Sequence, residues 1–146
     1  MATQRELDEV YINMAHELST LSKAERRKVG AIIVKDKQII AEGYNGTPMG
    51  FDNNCEYYDH VGHYYTKPEV LHAESNAITK LARSTQSSDG STLYCTLSPC
   101  FDCSKLIVQA GVKRVVYLEE YGHKENGKAL LKKAGVEVEQ LTRGKV

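Results

Sequence analysis

The sequence has no tryptophan and only two phenylalanines, and its charge has no dominant sign: Lys plus Arg number 19 and Asp plus Glu number 19, a formal net charge of zero. That balance argues against a chain whose main task is gripping nucleic acid, which usually carries a basic excess. Long apolar runs are also missing. The longest aliphatic stretches resemble Ala31-Ile32-Ile33-Val34, far short of the ~20 apolar residues that span a bilayer. The first residues (MATQRELDEV) lack the apolar core after a basic start that a secretory signal has. No repeat, low-complexity tract or long linker divides the 146 residues, so one domain over 1–146 is expected. A cytoplasmic setting follows as an expectation, and there cysteines stay reduced. Aromatic content is instead tyrosine, nine residues in all. Four cysteines and five histidines are available as ligands.

Periodicity supplies the elements. Leu7, Val10, Tyr11, Met14, Ala15 and Leu18 form one apolar helical stripe. Lys23–Lys28 is a basic connector, and Ala31–Val34 with Ile39–Ala41 reads as a hairpin. Residues 43–68, rich in Gly and Asn, read as a long loop, and long ordered loops are usually functional. A helix is expected from about His72 to Arg83 and a strand over Thr92–Leu97. Ser98-Pro99 reads as a helix start, serine as cap and proline at the first position. That helix should stop at Gly111, with a strand Arg114–Leu118, a helix Asn126–Ala134 and a last strand Val136–Leu141. The expectation is an α/β fold with a five-stranded mixed sheet, helices on both faces, parallel pairing throughout except for the hairpin.

Chemistry concentrates at two helix starts. Cys100 and Cys103 are three residues apart and share one face of a first turn. With His72 they offer one imidazole and two thiolates; three protein ligands on zinc leave the fourth position to water, the catalytic arrangement. Helix N-termini also favour thiolates. Glu74 is two residues from His72, about 200° round an ideal helix, so the two converge only on something lying off the helix end. A redox pair or structural zinc would account for the C-x-x-C alone, but not for the His-x-Glu beside it. His72, Glu74, Pro99, Cys100 and Cys103 match the H-x-E…P-C-x-x-C signature of zinc nucleobase deaminases in full. A carboxylate at Glu74 can carry a proton from water to the ring nitrogen and then to the leaving amine.

Beyond that signature, Val29–Val34, Gly43-Tyr44-Asn45-Gly46-Thr47-Pro48, Leu71–Ile78, Thr96–Cys100 and Ile107–Tyr121 resemble the deoxycytidylate (dCMP) deaminases over about residues 10–140. The G-Y-N-G-x-P run, and a tyrosine eighteen residues after the second cysteine, are the parts more specific to that branch. The resemblance implies a three-layer α/β/α cytidine-deaminase-like fold and conversion of dCMP to dUMP and ammonia, supplying thymidylate synthesis. It implies zinc on His72, Cys100 and Cys103, with Glu74 as proton shuttle. Asn45 would bond the deoxyribose, Ala73 and Ser98 border the base, and Tyr121 pack near sugar and phosphate. Arg26 is the leading phosphate ligand, with Arg27 and Lys28 as alternatives; the bland reading is a solvated basic loop. Gly122 departs from relatives that carry a polar or basic residue there. The resemblance also implies a homohexamer activated by dCTP and inhibited by dTTP, with Mg²⁺ on the triphosphate. Tyr44, Gly46 and Pro48 open the loop where such regulation would sit. Tyr57, Tyr58, Tyr64 and Tyr65 serve a subunit contact, a nucleotide shelf, or simply loop packing. Cys55, His60 and His63 are candidates for a second zinc, although the Ser22–Lys28 connector lacks the cysteine that would complete it. Cys95 reads as core, and His16 and His123 as surface. Rivals are a tRNA adenosine deaminase, which should show a basic RNA surface, a nucleoside deaminase, which needs no phosphate cation, and a non-catalytic zinc scaffold, which has no use for Glu74.

Overall fold

A computed structural model describes residues 1–120, 122 and 127–142. The elements run α1 (Gln4–Ser19), β1 (Gly30–Lys35), β2 (Gln38–Tyr44), β3 (Glu56–Tyr58), β4 (Tyr64–Thr66), α2 (Ala73–Leu81), β5 (Thr92–Leu97), α3 (Phe101–Gln109), β6 (Arg114–Glu119), α4 (Lys128–Lys133) and β7 (Glu137–Gln140). The main sheet has the order β2-β1-β5-β6-β7. Along the central strands the side chains alternate between faces. Ala31, Ile33, Leu93, Cys95, Val115 and Tyr117 pack with Ala73, Ala77, Leu81, Ile107 and Leu131 of α2, α3 and α4. Ile32, Val34, Tyr94 and Val116 pack with Tyr11, Ile12 and Ala15 of α1. The architecture is therefore three layers, α1 on one face and α2, α3 and α4 on the other.

The expected pairing pattern needs one correction. β1 pairs antiparallel with β5 as well as with β2, and only β5–β6 and β6–β7 are parallel. The crossover through α2 joins β2 to β5, so those two strands run the same way. β1 lies between them, antiparallel to its hairpin partner β2, and hence antiparallel to both. The hairpin turns on Asp36 and Lys37, with φ of 52° and 62°, the pair of positive values a tight two-residue turn requires.

The apolar stripe of α1 is rotated from its expected centre. Val10 is 54% exposed and Met14 41%, whereas Ile12 and Asp8 are buried. Asp8 draws this face inward. Its carboxylate accepts two bonds from Arg114, at 2.9 Å from Nη1 and 2.7 Å from Nη2, one from Tyr94 Oη at 2.5 Å and one from Gln4 Nε2 at 2.9 Å. Burial alone would raise the Asp8 pKa; the bonds from Arg114, Tyr94 and Gln4 outweigh it and hold the carboxyl below its ordinary value. Removing one partner of a buried pair typically costs about 3 kcal/mol or more, and Asp8→Ala should lower unfolding stability at pH 7 by that order. Because the folded-state pKa lies below the unfolded one, the contribution is complete above the unfolded carboxyl's value of about 3.9 and fades as pH falls through the folded value. Urea unfolding of wild type and variant should therefore converge in acid; a difference independent of pH would contradict the ion-pair account.

Candidate active site

Both chemistry-bearing helix starts lie beside the carboxyl end of β5, where Leu97 and Ser98 line one cavity with His72 and Cys100; open α/β sheets place their ligands at such ends. His72 is not inside α2 but caps it, with extended φ −73° and ψ 158°. This resolves the angular conflict between His72 and Glu74: the imidazole leaves from extended backbone and Glu74 from the first turn, and both line one cavity. At α3 the expected cap is displaced. Ser98 and Pro99 precede the helix, and Cys100 is the N-cap, its Sγ accepting the Cys103 N–H at 3.4 Å. A thiolate replaces the usual hydroxyl or carboxylate as the acceptor for an orphan amide, and the same bond puts the two sulfurs together.

His72 Nδ1 lies 3.3 Å from Cys103 Sγ and 3.4 Å from Cys100 Sγ. All three ligand atoms lie within 4.8 Å of one another. Zinc bonds of about 2.0 Å to nitrogen and 2.3 Å to sulfur, at tetrahedral angles, place such atoms about 3.5–3.8 Å apart, so the donor set fits the metal. The three groups are also electrostatically coupled. The neighbouring Cys103 thiol, and after it the His72 ring, hold the Cys100 pKa down to about 4, while Cys103 is raised by the adjacent Cys100 sulfur and by burial. His72 is raised in turn, chiefly by its bond to Cys100. Glu74 is 4% exposed, and burial pushes its carboxyl upward against the pull of His72.

The cavity encloses about 470 Å³, a volume ordinary for a small-molecule site. Of the expected substrate residues, Arg26, Asn45, Ala73 and Ser98 line it; Tyr121 lies outside the described residues, as does His123. Asn45 has a second task. Its Oδ1 accepts the Val29 N–H at 2.9 Å and its Nδ2 donates to the Arg27 carbonyl at 2.8 Å, which leaves one N–H and one lone pair for a ligand. Tyr44, Gly46 and Pro48 do not reach the cavity wall. Gly46 instead exchanges two backbone bonds with Leu71, at 3.1 and 2.8 Å, fixing the lead-in to His72. Gly43 is needed for closeness: a Cβ there would sit 2.6 Å from the Ala73 carbonyl. Arg27 is paired with Glu119, and Lys28 Nζ donates to the Ser22 carbonyl at 2.6 Å. Arg26 donates from Nη1 to Thr66 Oγ1 at 3.4 Å and, among the described residues, has no carboxylate partner.

The expected loop 43–68 contains a small separate hairpin, β3–β4, whose tyrosines meet in cross-strand pairs: Tyr57 with Tyr65, tilted, at 5.6 Å and Tyr58 with Tyr64, stacked, at 5.7 Å. Glu56 and Thr66 at its base line the cavity, and neither was expected there. Cys55 is buried with Sγ toward the Asn53 carbonyl, while His60 and His63 are exposed. Among the described residues, His72, Cys100 and Cys103 are the one group placed to hold a metal, and Cys55, His60 and His63 are not gathered. Cys95 is buried in the core and His16 is exposed, as expected.

With this geometry in place, comparison with known proteins is specific. Residues 5–119 match the model of the cytidine and deoxycytidylate deaminase zinc-binding region. The chain belongs to this family. The deoxycytidylate deaminase of Enterobacteria phage T4 is 35% identical over 165 aligned residues, covering 87% of this chain and 86% of that protein. ComE operon protein 2 of Bacillus subtilis is 37% identical over 139 residues, covering 92% of this chain and 70% of that protein. The crystal structure of the dCMP deaminase from cyanophage S-TIM5, in complex with dCMP and dUMP, superposes with a TM-score of 0.88 at 50% identity, covering 96% of this deaminase chain and all of that one. The deaminase fold and membership of a zinc-binding deaminase family are thereby shown, with His72, Cys100 and Cys103 as the candidate ligands, and the chain is an enzyme of this class.

Proposed function

We propose that the protein converts dCMP and water to dUMP and ammonia, acting as one catalytic domain in the cytoplasm and supplying dUMP for thymidylate synthesis. The observation that carries the reading is Arg26, a guanidinium with no carboxylate partner among the described residues, on the wall of the cavity that holds His72, Glu74, Cys100 and Cys103. In a chain of zero net charge, a dianionic phosphate needs a local cation, and guanidinium suits a phosphate's geometry. Arg27 lines the same cavity but is paired with Glu119, which favours Arg26.

His72, Cys100 and Cys103 would hold one zinc, which when bound supplies a water acidic enough to ionise near neutral pH. Glu74, buried beside the ligands, takes that water's proton and returns it to the pyrimidine ring nitrogen. The water oxygen meanwhile bonds to C4; the proton still on that oxygen then passes through the same carboxylate to the exocyclic amine, the C4–N bond breaks, and ammonia leaves with a C4 carbonyl in its place. Ala73 and Ser98 border the base. Asn45 offers its remaining N–H and lone pair to the deoxyribose; the role expected of Tyr121 falls outside the described residues. Arg26 takes the phosphate.

Arg26→Ala should raise KM for dCMP roughly 10–100-fold, the worth of a charge-assisted bond, with a much smaller effect on deoxycytidine. Steady-state ammonia release checks this; equal losses on both substrates would contradict the assignment. The reading extends to a homohexamer with dCTP activation and dTTP inhibition, Mg²⁺ accompanying the triphosphate, and Tyr44, Gly46 and Pro48 in the regulatory loop. A dCMP rate curve that stays hyperbolic and is unmoved by either triphosphate would remove that extension.

A further inference from the structure

We infer that Glu56 is a positioning residue for the phosphate end of the cavity, strapping the connector that carries Arg26 to the β3–β4 hairpin. The connector between α1 and β1 contains no helix or strand. Asn45 ties down residues 27 and 29 from one side. Residues 25 and 26 are held from the other side by the hairpin. Both Glu56 carboxylate oxygens accept the Glu25 N–H, at 3.1 and 3.2 Å, and one accepts the Arg26 N–H at 3.4 Å. Tyr58 Oη donates to Glu25 Oε2 at 3.1 Å, and Arg26 Nη1 donates to Thr66 Oγ1 at 3.4 Å. Five hydrogen bonds to three hairpin side chains thus join one dipeptide to one two-stranded ribbon, and Glu56 is the side chain that grips the backbone.

A carboxylate on the wall of a cavity for a dianion would repel its ligand if it faced it bare. Here its oxygens are turned to two backbone N–H groups, so the charge is spent on holding the main chain. Holding Arg26 in place before substrate arrives reduces the ordering cost of binding. Losing that anchor should weaken phosphate capture without touching the chemistry at the far end of the cavity, which is read as KM rising with kcat little changed.

The inference rests on the dCMP reading, and its test separates the two. Zinc-loaded wild type, Glu56→Ala and Glu56→Gln are compared on dCMP and deoxycytidine, and by trypsin cleavage within Lys23–Lys28. Glu56→Ala should raise KM for dCMP roughly tenfold, because the Arg26 segment must then be ordered when substrate binds, with a smaller change for deoxycytidine. It should also speed cleavage in the connector severalfold, since cleavage follows local opening. Glu56→Gln keeps an oxygen acceptor and should restore both readouts to near wild type. If both variants lower KM for dCMP, Glu56 acts by repelling phosphate and the inference falls. It also falls if cleavage is unchanged in Glu56→Ala, or if both substrates suffer equally while the wild type prefers dCMP. A wild type with no preference for dCMP overturns the substrate reading instead, and the cleavage rates still decide whether Glu56 straps the connector.

Discussion

Glu74→Ala should lower kcat at least about a thousandfold, within the range that positioned acid–base groups supply, while the protein keeps about one zinc per chain. The two halves of this expectation come from different observations. Glu74 lines the cavity and is buried at 4% exposure, where a carboxyl is retained against the cost of burial. Yet it is not one of the three ligand atoms that lie within 4.8 Å of one another. Glu74→Gln is the sharper variant. It keeps the shape and removes the charge, so it should fold at least as well as wild type and still fail to turn over. Near-normal turnover by either variant would contradict the proton-transfer role, and loss of zinc from both would make Glu74 a ligand.

Cys103→Ala should remove both the metal and the activity. With one thiolate gone, His72 and Cys100 offer two ligands, short of the three that catalytic zinc sites keep. After dialysis the variant should hold well under one zinc per chain, and kcat should fall as far as in Glu74→Ala. The comparison with Cys100→Ala is informative because the two sulfurs have different structural jobs. Cys100 Sγ caps α3 by accepting the Cys103 N–H, so its loss adds the cost of a missing cap, about 1 kcal/mol. Cys103 is buried with its sulfur 3.3 Å from His72, and Cys103→Ala trades an ionisable group for a small apolar one. Zinc content by mass spectrometry and thermal unfolding together check this. A Cys103→Ala protein that retains zinc would show the three-ligand assignment to be wrong.

The site was legible in the sequence because its members sit at element boundaries, where side-chain identity is set by ligand chemistry rather than packing. His72, Glu74, Cys100 and Cys103 could be assembled from two short patterns. What could not be read is how they converge. The extended backbone at His72 and the thiolate cap at Cys100 depend on where each helix begins to within one residue, and Ser98-Pro99 looked like the better start. The shift of the α1 face has a similar origin. Asp8 counts as polar in a periodicity reading, yet Arg114, 106 positions away, makes it a buried residue. The antiparallel β1–β5 pair was hidden because a strand inserted between β2 and β5 leaves no local trace. Strands β3 and β4 are three residues each, too short for alternation to register, so Glu56 and its grip on the connector were invisible until the two segments were seen together.

The most direct test of the central claim is the rate of ammonia release by the zinc-loaded protein from dCMP, CMP, deoxycytidine, dCTP and a tRNA substrate. The highest kcat/KM is expected for dCMP, with deoxycytidine lower by roughly the worth of its missing charge-assisted phosphate bonds, tenfold or more. Deoxycytidine turning over as well as dCMP, or preferred action on the tRNA, would contradict that claim.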